Sequence, residues 1–200
     1  MQTAMTERIR HQAVQPTGFL GRWMGEIMAL TNRPRNRWLV DELDLRPGFH
    51  GLEFGFGNGE VLTAFLDRST NSTAVGIDWS HAMVEAAHTR NVAAIRKGRL
   101  ILRRDDITQI NCPIGSEYDR IWSSNVAQIV SDRADLFSRL RLALKAGGVL
   151  ATCFEPRGRD APNPPDFAAR LEQEMHSAGL TRVETRWMNG RQAFCVLARR

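Results

Sequence analysis

The chain is poor in cysteine, in lysine and in unbroken apolar stretches, and each shortage closes off a class of protein. Its three cysteines, Cys112, Cys153 and Cys195, are odd in number, far apart and without C-x-x-C spacing. Neither a disulfide framework nor a zinc site is indicated, and no metal is expected. No stretch is apolar long enough to cross a bilayer, and the N-terminus lacks the charged-then-apolar layout of a secretory signal. The expectation is a soluble cytoplasmic protein with no membrane partner. Only Lys97 and Lys145 are lysines, so the formal net charge of +5 comes from arginines dispersed along the chain. A nucleic-acid footprint clusters its basic groups, so a small-molecule partner is expected in preference to nucleic acid. The 200 residues suit one domain with a substantial core and leave little for a second.

What is present is organised around Gly51-Leu52-Glu53-Phe54-Gly55-Phe56-Gly57-Asn58-Gly59-Glu60, which reads as strand, tight turn and helix. Glycines serve where backbone takes positive φ or a ligand lies against it, and a helix opening after them offers unpaired N–H groups. The dinucleotide fingerprint G-x-G-x-x-G would place its last glycine at Glu60; the glycines instead run G-x-G-x-G, with Glu53 two residues before the first. A carboxylate at that strand end suits a cationic ligand better than a pyrophosphate. Taken alone, the turn also fits an ordinary strand-to-helix connection. Thr73 to Asp78 then reads as a buried strand ending in an acid, twenty-three residues after Gly55. That is near the separation of about twenty expected of a ribose-binding carboxylate, which accepts from both hydroxyls of the sugar.

Before the glycine turn, Phe19, Leu20, Trp23, Met24, Ile27 and Met28 recur at helical spacing between Thr17 and Leu30. A second helix is expected after Asn32, ending before Pro47-Gly48. Trp23 and Met24 fit either core packing or a lid over the ligand. After the turn, helices are expected to Arg68, from Ser80 through Val92, from Asp132 to Lys145 with Gly147-Gly148 as cap, and from Asp166 to Ser177. A third strand running into a turn is expected over Leu100–Ile107, a fourth strand and its exit over Tyr118–Val126, and a fifth strand at Val149–Phe154. Arg120 inside the fourth strand suggests partial exposure or an ion pair with an acid. His81 and His88 share a helix side without further ligands, and read as surface or packing residues. Val183, Thr185 and Trp187 alternate with polar residues, Asn189-Gly190 signals a hairpin, and Phe194 to Ala198 return. This alternation specifies an α/β fold: a doubly wound, mostly parallel seven-stranded sheet with an antiparallel C-terminal strand. One domain over 1–200 is expected, with 1–48 an N-terminal helical lid and 49–200 the ligand-binding core.

The pattern E-x-G-x-G-x-G from Glu53 to Gly59 resembles the first motif of the class I S-adenosylmethionine (SAM) dependent methyltransferases. Asp78-Trp79 resembles the second, and the L-K-A-G-G-V-L run and terminal hairpin are familiar features of the same family. The resemblance covers about residues 49–200. It implies SAM as cofactor, cradled by Glu53, Gly55, Gly57 and Gly59, with Asp78 on the ribose and Trp79 against the adenine. It places Asp106 at the adenine amino group, with Asp105 as neighbouring alternative, and the Ile107 N–H at the ring. Ser123, with Ser124 and Asn125, falls where the methyl group meets the acceptor; Phe19, Trp23, Met24 and Asn125 would form the acceptor pocket. The implied reaction is in-line methyl transfer to a small molecule, with no general base identified beyond a loose candidate in His11. Other SAM chemistry, by aminocarboxypropyl transfer or ring closure, and SAM binding without turnover, fit the same motifs. Asn163-Pro164-Pro165-Asp166-Phe167 departs from the N-P-P-Y form of amide methylases and reads as a loop preceding a helix.

Overall fold

The computed structural model describes residues 32–109, 112 and 114–200. It opens with helix α1 (32–42) and continues through β1 (His50–Phe54), α2 (Glu60–Arg68), β2 (Thr73–Asp78), α3 (His81–Arg90), α4 (Val92–Arg96) and β3 (Leu100–Arg104). Then follow β4 (Tyr118–Ser124), a 3-10 turn (Ala127–Ile129), α5 (Arg133–Ala143), β5 (Leu144–Phe154), α6 (Pro164–Ser177), β6 (Thr181–Trp187) and β7 (Phe194–Arg199). The strands form one sheet in the order β3-β2-β1-β4-β5-β7-β6. Pairing is parallel from β3 through β5, whereas β7 runs antiparallel to both β5 and β6. The chain winds outward from β1 to β3 and then returns to the other side of β1. This reversal opens a crevice beyond the carboxyl ends of β1 and β4, where ligands of such sheets bind.

Leu52, Phe54, Ile121, Trp122, Leu150 and Phe194 are fully or almost fully buried within the sheet layers. The Phe65 and Trp122 rings stack at 4.7 Å, fixing α2 on the sheet below the glycine turn. Five local readings are corrected. Arg120 is neither exposed nor paired with an acid: it donates to the Leu43, Asp44 and Asp119 carbonyls and lies over the Phe49 ring at 4.4 Å. Backbone acceptors beyond the end of α1 thus satisfy a buried cation and tie α1 to β4. The helix expected through Val92 stops at Arg90, because the buried Asn91 side chain turns inward. It donates to the Gly59 and Ala87 carbonyls at 3.2 and 3.0 Å and accepts from the Thr63 hydroxyl at 2.8 Å.

The helix expected through Lys145 ends at Ala143, and Leu144 already pairs with Tyr118 in β5. Gly147 and Gly148 exchange backbone bonds with Arg200 at 3.2 and 3.1 Å, so they extend a strand and do not cap a helix. Asn163-Pro164-Pro165 is the start of α6, where the Asn163 side chain accepts from the Asp166 N–H at 3.3 Å. Asn32 lies within α1, not before it. The terminal hairpin is present, with Asn189-Gly190 in a turn closed by Arg191 N–H to Met188 O at 3.2 Å. The helix expected over Thr17 to Leu30, with Phe19, Trp23 and Met24, and His11 before it, lie outside the described residues. Among the described residues no helix is long and apolar enough to cross a membrane, and no histidine, cysteine and acid cluster could hold a metal. His81 is a surface residue beside Glu85.

Candidate functional site

A cavity of about 470 Å³ lies over the carboxyl ends of β1, β2, β3 and β4, within the size range of small-molecule sites. Its floor is the glycine turn. Gly55 has φ +65°, and a Cβ there would come within 2.3 Å of Val126, so side chains are excluded twice over. Gly57 has φ +53°, but nothing lies within 4 Å of where its Cβ would be: that position faces open space. Gly59 does not line the cavity; at φ +74° it begins α2, and its carbonyl receives Asn91 and Thr63.

Asp78 holds this turn in place. One carboxylate oxygen accepts from the Gly57 N–H and the other from the Ser80 N–H, both at 2.9 Å. The side chain is buried yet lines the cavity, and burial pushes its carboxyl up to about 6 against the pull of those two N–H groups. Each oxygen retains a further lone-pair direction for a ligand hydroxyl. Glu53 lies deeper, 1% exposed, and its Oε2 has no hydrogen-bond partner. Burial pushes the Glu53 carboxyl well up, opposed by the nearby Trp122 indole N–H, which does not reach hydrogen-bond geometry and is itself without a partner. Such an unpaired buried acid is costly unless a cation or donor completes it.

The β3 side carries both acids of the Asp105-Asp106 pair, together with Ile107. Asp106 accepts from the Thr108 N–H and hydroxyl at 2.9 and 2.6 Å and from the Gln109 amide at 3.1 Å. Burial raises its carboxyl, but those donors and the nearby Arg139 together prevail and hold it below the usual value. Asp105 accepts from the Asp106 N–H and from Arg103, each at 2.9 Å. Trp79 stands at the rim, 41% exposed, with its ring available to cover a flat ligand.

At the end of β4 the structure shifts the reading by one residue. Ser123 is fully buried with its hydroxyl 2.9 Å from that of Thr152, and it does not line the cavity. Ser124, on the opposite face of the strand, does. Asn125, expected in the acceptor pocket, instead clamps β4 to β5: it donates to the Glu155 carbonyl at 3.2 Å and accepts from the Glu155 N–H at 2.8 Å. It holds φ +56° to do so.

The sequence reading placed α1 in a lid over 1–48 but named none of its residues in the site. Asn32, Arg35 and Asn36 all line the cavity, and Asn36 Nδ2 donates to Glu60 Oε2 at 3.2 Å while Arg33 pairs with the same carboxylate at 3.3 Å. A signal was available. Arg35 stands four and eight residues before the buried Leu39 and Leu43, on the apolar stripe of the helix, where an arginine is out of place.

The chain is similar to known methyltransferases. A family model described as a methyltransferase domain matches residues 52–150, from β1 into β5. An uncharacterized methyltransferase, YdaC of Bacillus subtilis, is 29% identical over 176 residues, covering 87% of this chain and 94% of its own. The trans-aconitate 2-methyltransferase of Deinococcus radiodurans is 27% identical over 140 residues, 70% of this chain, which spans only 51% of that longer protein. A SAM dependent methyltransferase structure from Aquifex aeolicus shares the fold, with TM-score 0.66 and 20% identity over 82% of this chain and 88% of that one. Given its sheet order and the methyltransferase-domain match over residues 52–150, the chain has the class I methyltransferase fold and is similar in sequence to methyltransferases.

Proposed function

We propose that this chain binds SAM in the cavity over the glycine turn and methylates a small molecule. The observation that carries this is the pair of buried acids on the cavity floor: Asp78, bonded so far only to backbone, and Glu53, with an orphan oxygen. These residues fit SAM. Asp78 would accept from the ribose hydroxyls, Glu53 would complete its charge with the cationic amino acid end, and Trp79 would cover the adenine. Ile107 supports the far edge of the base, with Asp106 bracing the turn beside it. When bound, SAM supplies a methyl group already activated on a sulfonium.

The remaining task falls to this chain: alignment and exclusion of water. Gly57 lets a ligand lie against backbone. Val126, Ile129 and Val130 make an apolar wall, and α1 closes the side beyond β1 and β4 through the Asn36–Glu60 bond. The cavity volume supports an acceptor of small-molecule size. Calorimetric titration with S-adenosylhomocysteine and, separately, NADH tests the reading. Binding of the first and none of the second is expected; tight NADH binding with no response to S-adenosylhomocysteine would overturn it.

A further inference from the structure

The cavity is electrically divided. Glu53, Asp78, Asp105 and Asp106 stand at its β1–β3 side and Glu60 at the start of α2, whereas α1 carries Arg35. The Arg35 guanidinium is 2% exposed and poorly satisfied: Nη1 lies 3.4 Å from Glu155 Oε2, Nη2 lies 3.3 Å from Asn36 Oδ1, and Nε has no partner. Charge-assisted N–H···O bonds run at about 2.7–2.9 Å, so both contacts are long. Glu155 is engaged elsewhere, because Arg191 binds its Oε1 through Nε at 2.7 Å and Nη2 at 2.6 Å. A buried cation whose one ion pair is long and shared, and whose Nε has no partner, therefore stands in the cavity wall.

The wall also lacks the usual bases. Among the described residues it has no histidine, lysine, tyrosine or cysteine; its acids Glu60, Asp78, Asp105 and Asp106 are held by donors, and Glu53 is the acid assigned above to the cationic end of SAM. A hydroxyl or ammonium acceptor must lose a proton on methylation; a carboxylate, ionised at neutral pH, need not.

We infer that the acceptor is a small carboxylic acid, bound as its carboxylate through Arg35 and converted to a methyl ester. This rests on the methyltransferase reading above. One carboxylate oxygen forms the O–CH3 bond as the C–S bond of the sulfonium breaks, and that electron pair remains on sulfur. One negative and one positive charge are consumed, and no proton moves. Arg35 suits the role by geometry, since its planar fork matches a carboxylate.

Two measurements on the full chain test this. The first is calorimetry of trans-aconitate, succinate and benzoate, with catechol and propylamine as non-carboxylate probes, against protein loaded with S-adenosylhomocysteine. A carboxylate is expected to bind, Arg35→Gln to weaken it at least tenfold, and Arg35→Lys to recover part, while S-adenosylhomocysteine binds all three proteins alike. Equal carboxylate affinity in Arg35→Gln overturns the inference. The second uses wild-type protein, methyl-labelled SAM and a small-molecule cell extract, and so stands even if the variants do not fold. Label released by mild alkali as volatile methanol marks a methyl ester; alkali-stable label overturns the inference. Failure of the wild-type protein to bind S-adenosylhomocysteine would overturn the methyltransferase reading itself, a separate outcome.

Discussion

Protonation of Asp78 offers a quantitative test of the site. Its carboxyl rises from 3.8 to about 6 on folding, chiefly through burial. Between those values the folded chain keeps a proton that the unfolded chain has lost, so stability falls as pH rises from about 4 to about 6. Above that window the ionised carboxylate costs about 3 kcal/mol. A ligand that donates hydroxyls to the ionised form offsets part of this cost and therefore binds better at higher pH. At pH 5 about one carboxyl in eleven is ionised, so the affinity for an adenosine ligand should be about tenfold lower than at pH 7.5. Methylthioadenosine is the ligand to use, because it has the ribose but no amino acid end and so does not engage Glu53. Calorimetry from pH 5 to 7.5 should show this rise. Asp78→Asn should give a flat profile, with affinity at pH 7.5 lower by about 1.5–3 kcal/mol, the scale of a hydrogen bond to a charged group. Asn should also lower the melting temperature, since its amide presents N–H groups to one of the two backbone donors now bound by Asp78. A wild-type affinity independent of pH across this range would refute the assignment of the ribose contact to Asp78.

Three further outcomes are expected. Glu53→Gln should weaken S-adenosylhomocysteine binding by about 1.5–3 kcal/mol while leaving methylthioadenosine unaffected, since only the first carries an ammonium; equal losses for both ligands would count against the pairing. Gly57→Ala should cost about 1–2 kcal/mol of stability in denaturant melts through its positive φ, and should weaken both ligands by straining the backbone that lines the cavity. Asn91→Ala should lower stability by about 1–3 kcal/mol by removing its buried hydrogen bonds with the Gly59 and Ala87 carbonyls and the Thr63 hydroxyl, with an unchanged melting curve as the contrary result.

The features legible in the sequence are those set by local backbone demands. The glycines of the turn and the Asn189-Gly190 turn follow from conformations that few residues adopt, and the strand ending at Asp78 from its short apolar run. The site residues misplaced by one position had no such signal. β4 is buried on both faces over most of its length, so no alternation of polar and apolar residues sets its phase, and Ser123 could not be told from Ser124. Asn125 reads as a ligand contact from its place at a strand end, yet its amide is used by Glu155, thirty residues later. The β5 extension was equally hidden, because Leu144 and Gly148 are held by Tyr118 and Arg200, far away in the chain. Arg35 and Asn36 are brought to the site by long-range contacts of α1, among them that of Arg120 with the Leu43 carbonyl, 77 residues apart. Such placements depend on tertiary packing, which periodicity does not encode.

The central claim, methyl transfer from SAM, is tested most directly by the mass of the nucleoside left after incubation of the protein with SAM and a small-molecule cell extract. Methyl transfer leaves S-adenosylhomocysteine, in amounts that match the methyl label gained by an acceptor. Methylthioadenosine as the product, or SAM bound and recovered intact from every extract, would contradict it.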